Sequence, residues 1–254
     1  MSDPAALFSL KGRTALVTGA SGALGTAFAR VLHAAGARVV LAARRPEACA
    51  ALAAELDAFS VAMDVTDEGA IAAAFDAAQA ECGAPCDVIV NNAGVAVTKP
   101  ALDQTAAEWD AVQDVNLRGC FLVAQAAARR LVAAGMPGAI VNIASILGAR
   151  VISGVAGYAA AKAGLIQLTR QLAVEWARHR IRVNALAPGY VETAINRDVF
   201  ASEVGQAMIR RIPQRRLGTP EDLAGPLLLL ASEAGAHMTG SVVTVDGGHS
   251  INPL

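Results

Sequence analysis

Charge of either sign is scarce in this chain and nearly balanced. Only 17% of its 254 residues are charged; 21 Lys and Arg stand against 22 Asp and Glu, for a formal net charge of -1 and a sequence pI of about 6.4. Such a chain has no long-range field to gather nucleic acid or an anionic membrane surface, and neither partner is expected. A membrane-spanning run is missing as well. The longest aliphatic stretch near the end, PLLLLA at 226–231, falls far short of the roughly 20 residues that a bilayer crossing needs. The opening residues, MSDP, lack the basic and apolar regions of a secretory leader. Cysteine is limited to Cys49, Cys82, Cys86 and Cys120. The CGAPC spacing from Cys82 to Cys86 fits neither a zinc ribbon nor a CxxC redox pair, and no His lies nearby in sequence. No metal site is expected; free thiols in a soluble, cytoplasmic protein are. Repeats and low-complexity linkers are absent, so residues 1–254 read as one domain.

What the chain has in excess is apolar surface: 54% hydrophobic residues and a mean hydropathy of +0.44. Short apolar runs at 13–18, 37–43, 57–62, 87–94, 139–144, 182–189 and 241–248 alternate with stretches of helical period. Near-continuous apolar runs are the pattern of strands buried on both faces. The alternation predicts an α/β fold, a Rossmann-like doubly wound parallel sheet of about seven strands with helices on both faces. The helix after residue 63 can be capped by Thr66, and Thr219-Pro220-Glu221-Asp222 supplies an N-cap, a Pro at the first helical position and acids in the first turn.

The segment 145–162, SILGARVISGVAGYAAAK, places a hydroxyl, a phenol and an ammonium where they can meet one carbonyl. Tyr158 and Lys162 are four apart, which stacks them on one helix face. Ser145 follows an apolar strand, and strand ends facing helices are where open α/β sheets hold ligands. A phenol with an ordinary pKa of about 10 is a poor base at neutral pH, and a fixed ammonium such as Lys162 favours its ionised form. Tyr158 can then exchange a proton with an alcohol or ketone oxygen that Ser145 holds by a hydrogen bond. Taken alone, the pair reads rather as a Tyr on an amphipathic helix with a Lys snorkelling beside it.

The remainder of the chain supplies the context. Thr18-Gly-Ala-Ser-Gly-Ala-Leu-Gly25 lies between a strand and a helix, where glycines let backbone approach a pyrophosphate at a helix N-terminus. The second strand ends in Ala43, Arg44 and Arg45 with no carboxylate, which favours NADP(H) over NAD(H), since an acid there suits a free 2′-hydroxyl and a base a 2′-phosphate. Asp64, at the third strand end, is placed over the adenine; Asn91 and Gly94 close the fourth strand. Asn116 interrupts a long helical region, 104–131, as a side chain with hydrogen bonds to make. Residues 190–213 form a polar, mobile segment beyond the sixth strand, a candidate substrate lid.

These pieces together resemble the short-chain dehydrogenase/reductase family in its compact single-domain branch: TGASGALG at 18–25, Asp64, NNAG at 91–94, Asn116, Ser145, YAAAK at 158–162 and NALAPGYVET at 184–193. The resemblance covers nearly the whole chain. It implies hydride transfer between a nicotinamide and a ketone or secondary alcohol, with Tyr158 as general acid/base and Lys162 lowering its pKa and holding the nicotinamide ribose. Ser145 would orient the substrate oxygen and Asn116 support a water-linked proton relay. Cofactor contacts are implied at Thr18, Gly19, Ser21, Gly22, Ala23, Leu24 and Gly25, at Arg44, Arg45, Asp64 and Val65, at Asn91, Ala93 and Gly94, and at Pro188, Gly189, Val191 and Thr193. Ala23 departs from the family's TGxxxGxG, which would put a glycine there, and leaves the local pyrophosphate geometry open.

Substrate contacts are expected from Ser145, Leu147, Val155 and Tyr158, with Val95, Val97 and Ile152 lining the same pocket. Arg150, Lys99 and Arg197 either meet an anionic group or face water. A small carbonyl or alcohol substrate is implied; sugar-acid dehydrogenase and 3-oxoacyl-carrier-protein reductase activities are the alternatives. The latter would want a basic docking patch, for which only Arg178 and Arg180 stand ready. A catalytically silent nucleotide-sensing scaffold would show a damaged tetrad, and a methyltransferase on a similar glycine turn would not explain YAAAK with Ser145. The resemblance further implies a homotetramer packed through its long helices.

Overall fold

The apolar runs form seven strands: β1 (Thr14–Thr18), β2 (Arg38–Ala43), β3 (Phe59–Ala62), β4 (Val88–Asn91), β5 (Gly138–Ile143), β6 (Ile181–Pro188) and β7 (Val242–Val245). All pair in parallel, in the order β3-β2-β1-β4-β5-β6-β7. The computed structural model describes residues 4–193 and 197–252. The helices are α1 (Pro4–Leu7), α2 (Ala23–Ala34), α3 (Ala50–Leu56), α4 (Glu68–Cys82), α5 (Ala106–Gln113), α6 (Gly119–Ala134), α7 (Ala156–Trp176), α8 (Arg197–Ala201), α9 (Glu203–Ile209) and α10 (Ala224–Ala231).

Strand alternation divides the apolar residues between two cores. Val17, Val39, Leu41, Val88 and Val90 pack on one face with Phe28 and Leu32 of α2 and Leu227 and Leu230 of α10. Leu16, Val40, Ile89 and Ile140 pack on the other with Ile71 and Phe75 of α4, Leu131 of α6 and Leu172 of α7. Both faces are thus sealed by helices, as parallel sheets require. Strand order reverses between β1 and β4, so their C-terminal ends diverge and open a crevice there.

Local chemistry sets the helix ends. Asp67, not Thr66, caps α4, its carboxylate accepting from the N–H groups of Gly69 and Ala70 at 2.7 and 3.0 Å. Thr66 is occupied instead, donating from its hydroxyl to Asp64 at 2.7 Å. Thr219 opens the last helical segment with a reciprocal box to Asp222, as its sequence predicts. The stretch 104–131 is not one regular helix: a π turn over Asp114–Arg118 joins α5 to α6 and carries Asn116. Residues 190–213 contain α8 and α9 rather than only irregular chain; positions 194–196 of the expected lid lie outside the described residues.

Candidate active site

The crevice holds two contiguous cavities that share Leu24, Asn92, Gly94 and Val95. The first, of about 580 Å³, runs from the glycine turn to the ends of β2 and β3. The second, of about 380 Å³, lies over the ends of β5 and β6 and contains Ser145, Tyr158 and Lys162.

Three of the four expected catalytic side chains line the second cavity; the fourth supports its wall. Ser145 ends the β5 segment with extended backbone, and its hydroxyl accepts from the Leu147 N–H at 3.1 Å. Tyr158 and Lys162 project from the first two turns of α7, with the Lys162 nitrogen 5.5 Å from the phenol ring centroid. Lys162 is buried and donates to the Ile143 carbonyl at 2.8 Å. Asn116 is fully buried in the π turn, where it accepts from the Val95 N–H at 3.0 Å and donates to the Val95 carbonyl at 2.6 Å. The extra residue of a π turn is what re-aims this amide off the helical ladder, and such bulges gather at functional sites.

Electrostatics of the chain by itself differ from the expectation that Lys162 pulls the phenol down. Burial pushes the Tyr158 phenol above its ordinary value, and the Ser145 hydroxyl opposes that more weakly. Burial also lowers the Lys162 ammonium. The phenol is therefore held as a proton donor at neutral pH. The physical reason is desolvation, which disfavours both charged forms, together with a lysine drawn toward the Ile143 carbonyl.

At the other end, Gly22 is the N-cap of α2 without a side-chain cap, so the first N–H groups of that helix face the cavity unpaired by any side chain. The glycines of the turn serve two purposes. A Cβ on Gly25 would stand 2.3 Å from the Gly19 carbonyl oxygen, and Gly19 itself has φ +63° and lies against Ala93, so the chain's own packing demands both. A Cβ on Gly22 would meet only the Gly19 oxygen at 3.4 Å, an ordinary contact. The room at Gly22 belongs to the cavity. Ala23 is the first helical residue and does not line the cavity, so the family departure leaves the cradle open.

Ser21, Leu24, Arg44, Arg45, Asp64, Val65, Ala93 and Gly94 all line the first cavity. Arg44 and Arg45 are exposed there. The Asp64 carboxylate accepts from the Thr66 N–H at 2.9 Å and from its hydroxyl at 2.7 Å; these bonds, with a smaller contribution from Arg44, hold it below the usual range. Pro188, Gly189, Val191 and Thr193 line the second cavity, Val191 bridging to Gly218.

Six expected contacts fall elsewhere: Thr18, Ala23, Asn91, Val97 and Val155 line neither cavity, and Ile152 lines an adjoining one. The Asn91 side chain is buried inside the sheet, donating to the Cys120 carbonyl at 3.1 Å and to Asn142 at 2.9 Å, while Asn142 donates on to Thr169 of α7 at 2.9 Å. It ties the sheet to the helix that bears Tyr158 and does not line the crevice. Thr18 is likewise buried; its hydroxyl accepts from the N–H groups of Asn92 and Ala93, both at 3.0 Å. Val155 is the N-cap of α7 and lines neither cavity.

Asn92 stands outside the expected contacts yet borders the crevice. Its amide donates to the Thr18 and Gly19 carbonyls at 2.9 and 3.2 Å, pinning the glycine turn, and it borders both cavities. The doubled asparagine of NNAG was its only signal. Tyr190 stands outside them as well; it lines the second cavity with its ring 5.1 Å from that of His249. Among the described residues no cluster of His, Cys, Asp or Glu could hold a metal, no helix is long and apolar enough to cross a membrane, and Cys49, Cys82, Cys86 and Cys120 are free thiols.

Comparison with known proteins agrees with this geometry. Residues 19–250 match the family described as enoyl-(acyl carrier protein) reductase. Galactitol 2-dehydrogenase (L-tagatose-forming) of Cereibacter sphaeroides is 40% identical over 255 residues, which is 98% of this chain and 99% of that protein. Gluconate 5-dehydrogenase of Gluconobacter oxydans is 37% identical, over 99% of this chain and all of that protein. The crystal structure of a gluconate 5-dehydrogenase from Burkholderia cenocepacia in complex with NADP and tartrate superposes with a TM-score of 0.93 at 36% identity, covering 98% of this chain and 99% of that one.

Proposed function

The chain belongs to the short-chain dehydrogenase/reductase family, and from that premise we propose that Tyr158, Lys162, Ser145 and Asn116 carry out its hydride-transfer chemistry with NADP(H) as the preferred cofactor. The protein is an NAD(P)-dependent oxidoreductase that acts on CH–OH groups and the matching ketones. The observation that carries the assignment is the convergence of Ser145, Tyr158 and Lys162 on one cavity continuous with the glycine cradle.

A nicotinamide cofactor, when bound, supplies the hydride acceptor or donor. The residues present suit it. The unpaired N–H groups behind Gly22 suit a pyrophosphate, Arg44 and Arg45 a 2′-phosphate, and Asp64 with Val65 the adenine end. Lys162 supplies a buried ammonium for ribose hydroxyls. Ser145 donates to the substrate oxygen and fixes its place against Tyr158. The phenol, kept protonated by burial, donates its proton to a carbonyl oxygen as that oxygen gains charge; in the opposite direction it must first lose that proton to accept one from the alcohol. Asn116 holds the Val95 backbone at the cavity wall, and its amide anchors the proposed water-linked route for that proton.

The relatives act, by their names, on a polyol and on a sugar acid, and a small polyhydroxylated or cyclic secondary alcohol is the substrate class proposed here. Four free thiols support a cytoplasmic setting. The outer faces of α6 and α7 leave Val132 and Val174 exposed beside half-buried Phe121 and Trp176, which supports assembly through these helices into a tetramer. The deciding experiment is NADPH and NADH turnover by purified protein against aliphatic, cyclic, sugar-acid and 3-oxoacyl thioester ketones. NADPH turnover of one small-ketone class is the expected result. Preference for NADH would overturn the reading of Arg44, and exclusive use of the thioester would overturn the substrate class.

A further inference from the structure

Beyond the catalytic cavity the crevice continues into an annex of about 510 Å³, which shares Leu147 and Tyr190 with it. We propose that this annex binds an anionic group of the substrate, a carboxylate or a phosphate, through Arg150, Arg210 and Arg211, so that the enzyme selects acidic alcohols over neutral ones. This inference rests on the dehydrogenase reading above.

The three expected cations sort themselves by partner. Lys99 is paired with Glu108 at 3.1 Å and Arg197 with Glu192 at 2.9 Å, so neither is free to meet a ligand's charge. Arg150 forms no ion pair among the described residues; it donates to backbone carbonyls, at 2.7 Å to Ser250 and at 3.4 Å to His249. Those bonds fix the guanidinium in the annex wall without neutralising it. Arg210 and Arg211 follow α9 on the other side of the annex, with no carboxylate partner among the described residues. The dipole at a helix end favours a cation there. It does not explain why a guanidinium from the chain after β5 faces the same space.

His249 reports that these charges converge. Burial lowers its imidazole first, and both Arg150 and Arg211 lower it further, against the opposing carboxylate of Asp246. Asp246 is itself engaged, accepting from the Gly248 and Ser250 N–H groups at 2.9 and 2.6 Å. The buried Nδ1 of His249 has no hydrogen-bond partner. Arg150, Arg210 and Arg211 with no carboxylate partner among the described residues, beside an apolar floor of Ile146, Leu147 and Met208, together describe a receptor for a small organic anion. The annex adjoins the cavity that holds Tyr158, so one molecule can place its carbinol in the latter and its charge in the former.

The test uses matched pairs: gluconate with gluconamide and 4-hydroxycyclohexanecarboxylate with its carboxamide, together with sorbitol and its 6-phosphate, each oxidised with NADP+. The anionic member of the best pair should show kcat/KM about tenfold or more above its neutral partner, the difference carried by KM, as expected for one hydrogen bond to a charged group. Arg211→Gln and Arg210→Gln together should bring that ratio toward one, with cofactor affinity measured by fluorescence as the check on folding. A phosphate preference in place of a carboxylate one identifies the anion and supports the annex. Equal use of acid and neutral partners, or a ratio that the arginine replacements leave unmoved, overturns the annex proposal while the dehydrogenase reading stands. Silence across all pairs, with NADPH still bound and another ketone class still turned over, overturns the annex proposal alone.

Discussion

The two ends of the crevice are built by opposite means. At the proposed cofactor end, most of the wall is strand termini and the turns that follow them: Gly19 and Gly22 after β1, Arg44 after β2, Asp64 after β3, Asn92 and Gly94 after β4, with Ala111 of α5 and Asp114 and Val115 of the π turn completing it. Parallel strands in register deliver the strand-end residues to one edge automatically. At the substrate end, the annex draws Arg150 from the loop after β5, Arg210 and Arg211 from beyond α9 and His249 from the chain after β7, none of them held in place by a ladder. The first end is built largely on the sheet edge; the second is assembled from distant loops, where specificity can change without disturbing the sheet.

The largest effect should come at the junction of the two ends. Tyr158→Phe is expected to lower kcat by roughly 10² to 10⁴ with cofactor affinity kept, the usual worth of a positioned acid/base; steady-state kinetics with a fluorescence titration of NADPH checks it, and near wild-type turnover would remove Tyr158 from its role.

Next, the two glycines separate fold from ligand. Gly25→Ala drives a methyl into the Gly19 carbonyl and should cost about 1–3 kcal/mol of stability, read as a lowered Tm. Gly22→Ala meets only an ordinary contact, so its Tm should stay near wild type while NADPH binding weakens. If both lose stability alike, the distinction between packing glycine and cradle glycine fails.

A smaller change is expected from Arg44→Gln, which should raise KM for NADPH by roughly tenfold, about the worth of a charge-assisted hydrogen bond, and shift the NADPH/NADH ratio accordingly. A ratio that does not move would take the 2′-phosphate away from this residue.

The gentlest probe is pH. Because burial raises the Tyr158 phenol, its proton stays on to a higher pH than an ordinary phenol's. Alcohol oxidation, which needs the phenolate, should climb as pH rises, while ketone reduction stays level and falls only in strong alkali. Parallel profiles in the two directions would point to a different proton carrier.

Much of this could be read from residues in order. The β-strand runs, the glycine turn, the four-residue step from Tyr158 to Lys162 and the doubled asparagines are local patterns, and local patterns survive into structure because backbone geometry converts spacing into direction. The same local view misplaced Asn91, since which of two adjacent asparagines faces the crevice depends on how β4 ends against β1 and β5. It assigned the α4 cap to Thr66 because it could not see that Asp64 already held that hydroxyl.

By itself, then, the order of residues determined the doubly wound sheet, the glycine turn and the spacing of the proposed catalytic side chains, all of which follow from hydrophobic period, turn chemistry and short-range spacing. The rise of the Tyr158 phenol by burial in place of a fall toward Lys162, the π turn that aims Asn116 and the gathering of Arg150, Arg211 and His249 around one annex were decided only by tertiary structure. Desolvation and charge depend on every neighbour that packing brings near, and those neighbours include residues 100 positions away in the chain, as Arg150 and Ser250 are.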